Sequence, residues 1–207
     1  LTPPEDEYRA QLAGLVYTSV FCSGKAQNRF VSGQPHFVQD WPAYNLFVKT
    51  RVLKLVGGYG NDFYGGEDTF LCLKLIKKGQ IYYEPLAIIY HHRRPLFFPL
   101  LRQIYNIGLH RGYFARKFPE TSRKPFYFLP SSLTLGLVFL LLWSLFDWRA
   151  LVSLLFLTGL FLSMSAVSVY AYTDIKNSFI VAVGVLATHI TYGMAFIRGL
   201  LTPHLTQ

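Results

Sequence analysis

The sequence predicts an α/β unit followed by an amphipathic helix and three membrane-spanning helices. Three observations carry this reading. Helical and strand-like segments alternate up to Arg94, helical periodicity runs unbroken from Pro95 to Phe118, and three apolar, nearly uncharged runs follow Lys124.

The charge distribution divides the 207 residues in the same way. Residues 1–125 hold 17 of the 20 Lys and Arg and 9 of the 11 Asp and Glu, a net charge of +8, while residues 126–207 carry a net +1. A basic first part suits phosphate-bearing ligands or anionic lipid head groups. The basic residues are not interleaved with stacking aromatics in a nucleic-acid module, so no nucleic-acid partner is expected. Cys22 and Cys72 show neither a disulfide framework nor metal-type spacing, which fits a reducing, cytoplasmic setting for the first part. The chain starts Leu1-Thr2-Pro3-Pro4, without an initiator Met or a signal peptide, and reads as a C-terminal fragment whose N-terminal portion is missing.

In chain order, Glu5 to Phe21 has helical apolar spacing through Leu12, Leu15, Val16 and Val20, and a polar loop runs from Ser23 to about Asp40. Ala43 to Val48 reads as a short buried strand, Thr50 to Val56 as a turn or two of helix, and Gly57 to Gly66 as a glycine-rich loop. Glu67 to Lys78 is a helix stopped by Gly79, and Ile81 to Tyr83 and Ala87 to Tyr90 are short strands. Pro95 to Phe118 is amphipathic, with Arg102, Asn106, His110, Tyr113 and Lys117 along one stripe and Gln103 beside it; such a helix lies at a membrane interface.

The apolar runs Phe126–Phe146, Ala150–Tyr172 and Ser178–Leu201 are each long enough to cross a hydrocarbon core, which takes about 20 helical residues. Arg116, Lys117, Arg123 and Lys124 precede the first run, so the basic part faces the cytoplasm and the C-terminus the far side. Three regions follow: 1–94, 95–125 and 126–207.

The sharpest local feature is Gly65-Gly66-Glu67-Asp68-Thr69, two carboxylates opening a helix after a glycine turn. The positive end of the helix dipole favours them and keeps them ionised. An ionised carboxylate on a rigid helix start can take the proton of an attacking hydroxyl; the plain alternative is an acidic helix cap. His91 and His92 on one strand point to opposite faces, so at most one faces a site, and His91 is the candidate. Arg102, His110 or Arg111 can meet a diphosphate or lipid phosphate, or simply draw the helix to anionic lipid. The glycines at 57, 58, 60, 65 and 66 match no phosphate-binding fingerprint and make turns. His189, inside the last apolar run, is read as a helix-to-helix hydrogen bond.

In order and spacing, several segments together resemble the acceptor half of inverting family 2 glycosyltransferases. These are Tyr44-Asn45-Leu46-Phe47-Val48-Lys49, Val56-Gly57-Gly58-Tyr59, Gly66-Glu67-Asp68-Thr69, Lys77-Lys78-Gly79 and Tyr90-His91-His92-Arg93-Arg94. The resemblance continues through Arg102-Gln103-Ile104-Tyr105-Asn106-Ile107-Gly108-Leu109-His110-Arg111-Gly112, and to His189, Tyr192 and Gly193, as in bacterial exopolysaccharide enzymes of the succinoglycan type.

It implies a GT-A domain over residues 1–94, a nucleotide-sugar donor, a lipid-linked or polysaccharide acceptor, and an inner-membrane location. It also implies a divalent Mg or Mn ion held mostly by the missing portion, which would supply the nucleotide-binding half and the D-x-D pair. On this resemblance Asp68 is the general base, Glu67 orients acceptor or base, and His91 reaches the metal. Asn45, Arg102, Gln103, His110 and Arg111 contact substrate. Gln103 is followed by Asn106-Ile107 in place of the Arg-Trp of processive synthases, which favours single transfer over a processive polysaccharide synthase. The reading from another class is a noncatalytic membrane module that binds anionic lipid or a partner.

Overall fold

The computed structural model describes residues 1–59 and 66–205. Helices dominate them. α1 (Tyr8–Thr18) and α2 (Val20–Ser23) meet at Ser19, whose hydroxyl accepts from Phe21 N at 3.3 Å and starts α2. A 3-10 helix (Gly24–Arg29) follows, then β1 (His36–Val38), a 3-10 turn (Ala43–Asn45), α3 (Thr50–Leu55), α4 (Glu67–Ile76) and β2 (Ile81–Tyr83). α5 (Phe98–Lys117) and α6 (Pro119–Ser122) lead to the long apolar helices α7 (Pro125–Trp143), α8 (Trp148–Tyr170) and α9 (Ile175–Leu201).

These three are long and apolar enough to cross a membrane, as the sequence predicts, and make the protein membrane-associated. Their starts follow from local chemistry. Asp147 accepts from Arg149 N and Asp174 from Asn177 N, both at 2.9 Å, capping α8 and α9, and proline opens α5, α6 and α7, where an N–H has no helical partner.

The α/β layer expected over residues 1–94 is not formed by the described residues. Their one sheet is the antiparallel pair β1–β2, with His36 opposite Tyr83 and Val38 opposite Ile81. Of the three predicted strands only Ile81–Tyr83 exists, and its partner β1 lies in the stretch read as loop. Ala43–Asn45 curls into a 3-10 turn behind Pro42, and residues 87–90 pair with no strand. An apolar run becomes a strand only where a neighbouring strand takes its N–H and C=O groups in turn. Among the described residues, 87–91 pair across the chain with the backbone of Leu1 alone, which donates to the Ile89 carbonyl at 2.8 Å and accepts from His91 N at 2.9 Å, and Ala43–Asn45 bonds back within its own turn. Gly57 and Gly58 take φ of 75° and 61° to turn the chain after α3, as glycine allows. The rest of the expected glycine loop, 60–65, lies outside the described residues.

α5 does not lie apart from the apolar helices. Its buried face, Leu100, Ile104, Gly108 and Gly112, repeats every four residues and runs along α9 in the same direction: Leu96 meets Gly184, Gly108 meets Tyr192, Gly112 meets Phe196, and Arg116 binds the Thr202 carbonyl. The approach is close enough that a Cβ on Gly108 would stand 2.8 Å from the Tyr192 carbonyl oxygen. One core results, built from Leu12, Ala13 and Val16 of α1, Leu100 and Ile104 of α5, and Val169, Val181 and Val185 of α8 and α9.

Polar contacts tie the same layers: Ser19 to Ser168 at 2.7 Å, and the His189 ring to the Phe21 carbonyl at 2.6 Å, the helix-to-helix bond expected of His189. An apolar cavity of about 230 Å³ remains between α7, α8 and α9, walled by Leu133, Leu137, Leu157, Phe161 and Leu186, with Gly136 at its edge.

Candidate active site around Asp68 and Asp40

Asp68 stands in the first turn of α4, half-buried, its Oδ1 accepting from Thr69 N at 2.7 Å. Glu67 folds back to accept from Gly66 N at 2.8 Å. Gly66 is required by a close approach: a Cβ there would stand 2.7 Å from the Phe114 ring of α5. Next along the turn, Thr69 is buried, and its hydroxyl donates to both oxygens of Asp40 at 3.2 Å.

Asp40 is the hub. Its Oδ2 accepts from Arg111 Nη2 at 2.7 Å and faces Arg29 Nη2 at 3.6 Å, while Arg29 also donates to the Asp40 carbonyl at 2.7 Å. Arg111 in turn lies over the Tyr127 ring, 5.0 Å to its centroid, and reaches Ser122 Oγ at 3.4 Å. α4, α5, α6, the first turn of α7 and the loop before Trp41 thus converge on one ion pair. Beside it, Trp41 N donates to Cys72 Sγ at 3.4 Å, and the thiol donates back to the Trp41 carbonyl at 3.5 Å.

The charges act on one another. Burial pushes the Asp40 carboxyl up, but Arg111 and Arg29 outweigh it and hold the group below its usual range. Burial works against the Arg111 charge, and Asp40 more than restores it. Asp68 moves the other way: burial first, then the neighbouring Asp40 charge, raise its carboxyl against the Thr69 N–H and Arg111. The helix dipole expected to favour the Asp68 carboxylate is opposed here by burial and a like charge. Burial raises the Cys72 thiol to about 11, so it stays protonated.

Of the residues singled out in the sequence, Asp68 and Arg111 come together at Asp40, with Glu67 beside Asp68 in the same turn. Asn45 and His91 meet elsewhere, around Tyr44. Asn45 Nδ2 donates to the Ala87 carbonyl at 2.9 Å, and the His91 ring packs on Tyr44 at 4.9 Å between centroids. Asn45 Oδ1 and His91 Nδ1 are buried and have no partner among the described residues. Burial, then the Arg93 charge, lower the His91 pKa and keep the ring neutral. His92 is exposed and paired with Asp6. Asn45 also lines a cavity of about 40 Å³ with Asn28, Arg29, Trp41, Tyr44 and Tyr83, room for water but not for a sugar.

Arg102 is exposed and lies about two and a half turns before Arg111, on the opposite face of α5. Gln103 is half-buried, and His110 Nδ1 turns back to the Asn106 carbonyl at 2.8 Å, so α5 does not deliver these three to the Asp68 cluster.

Mg and Mn ions take mostly oxygen ligands, yet among the described residues no group of three His, Cys, Asp or Glu stands together, and His91 faces an aromatic ring. The resemblance assigns most of that metal's ligands to the portion outside this chain, and His91 is the one ligand it assigns here.

Asp40, Arg29 and Thr69 were not singled out from the sequence. A signal existed: Asp40 is the one acidic residue between Glu7 and Asp62, in an otherwise basic stretch.

Compared with known protein families, with curated proteins and with solved structures, the chain matches none.

Proposed function

We propose that this chain serves sugar transfer from a nucleotide-sugar donor to a lipid-linked or polysaccharide acceptor, with inversion and with Asp68 as general base, in the manner of family 2 glycosyltransferases. The acceptor hydroxyl gives its proton to the Asp68 carboxylate as its oxygen attacks the anomeric carbon. The bond from that carbon to the diphosphate oxygen breaks, and its electron pair leaves with the nucleoside diphosphate.

The observation that carries this reading is the state of Asp68: a half-buried carboxylate at a helix start, whose affinity for a proton is raised by burial and by Asp40. A cap exposed to water would have neither influence. Within this reading residues 1–94 belong to the acceptor side of a GT-A domain, a fold that β1 and β2 alone do not make. The basic residues ahead of α7 support the cytoplasmic face of a plasma membrane as the catalytic side in this reading.

Asp68→Asn is expected to reduce transfer by at least about a hundredfold. The assay uses membrane fractions carrying the full native gene product, with UDP-glucose, UDP-galactose and GDP-mannose as donors and the variant present in the membrane at wild-type amount. Wild-type transfer by that variant overturns the assignment. A lipid-binding module without catalysis is favoured by one observation, the exposed Arg116 and Arg123 beside α7. That reading predicts loss of anionic-vesicle binding on their neutralisation and no transfer from any donor.

A further inference from the structure

We infer that Asp40 is the positioning residue of this site, taking the Thr69 hydroxyl and the Arg111 and Arg29 guanidinium groups on one carboxylate and so fixing the first turn of α4, which bears Asp68, against α5. The catalytic part of this inference rests on the function proposed above; the geometric part does not.

Asp68 does not fix its own direction, since its Oδ1 accepts from the N–H of the very next residue. Thr69 is different: it is buried, and both Asp40 oxygens hold its hydroxyl. Asp40 is held in its turn by Arg111 from α5, by Arg29 across its own loop, and through Trp41 by Cys72 one helical turn after Asp68. The direction of the Asp68 side chain is therefore set from residue 40, outside α4. The same arrangement places two carboxylates on either side of Thr69.

The groups facing Asp68 are Asp40 from the loop, Arg111 from α5, Glu67 from its own turn, and the Tyr59 hydroxyl, itself raised by burial and then by Asp68. Asp40 is the larger of the two negative influences on Asp68, ahead of Glu67, and opposes Arg111.

The test reads Asp68 directly by pH-difference infrared titration of the full native gene product in native membranes, its band being the one lost in Asp68→Asn. Asp40→Asn removes a like charge and leaves Arg111 facing Asp68, so the Asp68 titration moves down by about one pH unit, and the acid limb of transfer moves with it. Thr69→Val keeps every charge, so the titration stays in place. The kcat for UDP-glucose transfer then falls about tenfold while its KM holds, because orientation and not donor binding is lost.

If Asp40→Asn does not fold with Arg111 left unpaired, Asp40→Leu combined with Arg111→Met removes both charges together and still loses at least about tenfold in transfer. An Asp68 titration unmoved in Asp40→Asn, or wild-type transfer in Thr69→Val or in the double variant, overturns the inference. A titration that moves in a chain showing no transfer from any donor supports the placement by Asp40 and overturns the proposed function instead.

Discussion

Adding one methyl group to a glycine is expected to have opposite effects at two places in the helical layer. At Gly112 a new Cβ would overlap the Phe196 carbonyl oxygen and stand 2.8 Å from its carbon and 2.9 Å from Leu200 N, all backbone atoms that cannot swing aside. Ordinary contact is about 3.5–4.0 Å, so α5 and α9 must separate locally by roughly 1 Å, which forfeits a quarter to a half of the dispersion energy along the seam. Overpacking of this kind costs about 1–3 kcal/mol, and the better helix propensity of alanine returns about 1.

Gly112→Ala is therefore destabilising by about 1 kcal/mol net. Gly136 has nothing within 4 Å of its would-be Cβ and borders the apolar cavity, so Gly136→Ala keeps the propensity gain and stabilises by about 1 kcal/mol. Titration with SDS from mixed micelles, followed by helical circular dichroism, reads both. The midpoints should move in opposite directions, about 2 kcal/mol apart. Shifts of the same sign, or within about 0.5 kcal/mol of each other, refute the packing argument.

Asp174→Ala removes the cap that receives Asn177 N at 2.9 Å and should cost about 1 kcal/mol in the same titration, most of it recovered by Asp174→Ser. On acidification the two central carboxyls act in sequence. The Asp68 carboxyl is raised in the folded chain, so its ionisation opposes folding, and protonating it as the pH falls toward the ordinary carboxyl range relieves that cost. The Asp40 carboxyl is lowered, so the stability it contributes is complete above the ordinary range and is lost only as the pH falls through its lower folded value. Stability measured against pH should therefore lose its early gain in Asp68→Asn and its late loss in Asp40→Asn.

The apolar helices were legible because length and composition alone decide them, and the capping residues Asp147 and Asp174 mark two starts within a few residues. Periodicity also marked Pro95 to Phe118 as a two-faced helix, which forms over Phe98–Lys117. It did not show which face meets protein, and the polar stripe drew attention away from Gly108 and Gly112, which have no side chain to register in an apolar pattern. The strands failed for a related reason. His36–Val38 is too short to alternate visibly and exists because Tyr83 and Ile81 stand opposite, whereas Ala43–Val48 has apolar content and no neighbour. In the candidate site Asp68 was found from its place after a glycine turn. Asp40 was not, because its meaning lies in a pairing with Arg111, 71 residues further along the chain.

That pairing joins the proposed chemistry to the membrane-spanning layer. Arg111 precedes Gly112, the residue seated on the Phe196 backbone of α9, so the guanidinium that holds Asp40 stands beside one of the closest approaches of α5 to α9. Asp40 passes the constraint through Thr69 to the turn that carries Asp68. If that chain of contacts sets the carboxylate's direction, a change that touches none of the charged groups should still be felt by the base. The Gly112→Ala separation of α5 from α9 should lower kcat for sugar transfer while the infrared titration of Asp68 stays near its wild-type value, since Asp40 and Arg111 move together as a pair. An unchanged kcat in a variant whose SDS midpoint has dropped would mean that Asp40 holds α4 without help from α9, and would confine the positioning role to the loop before Trp41.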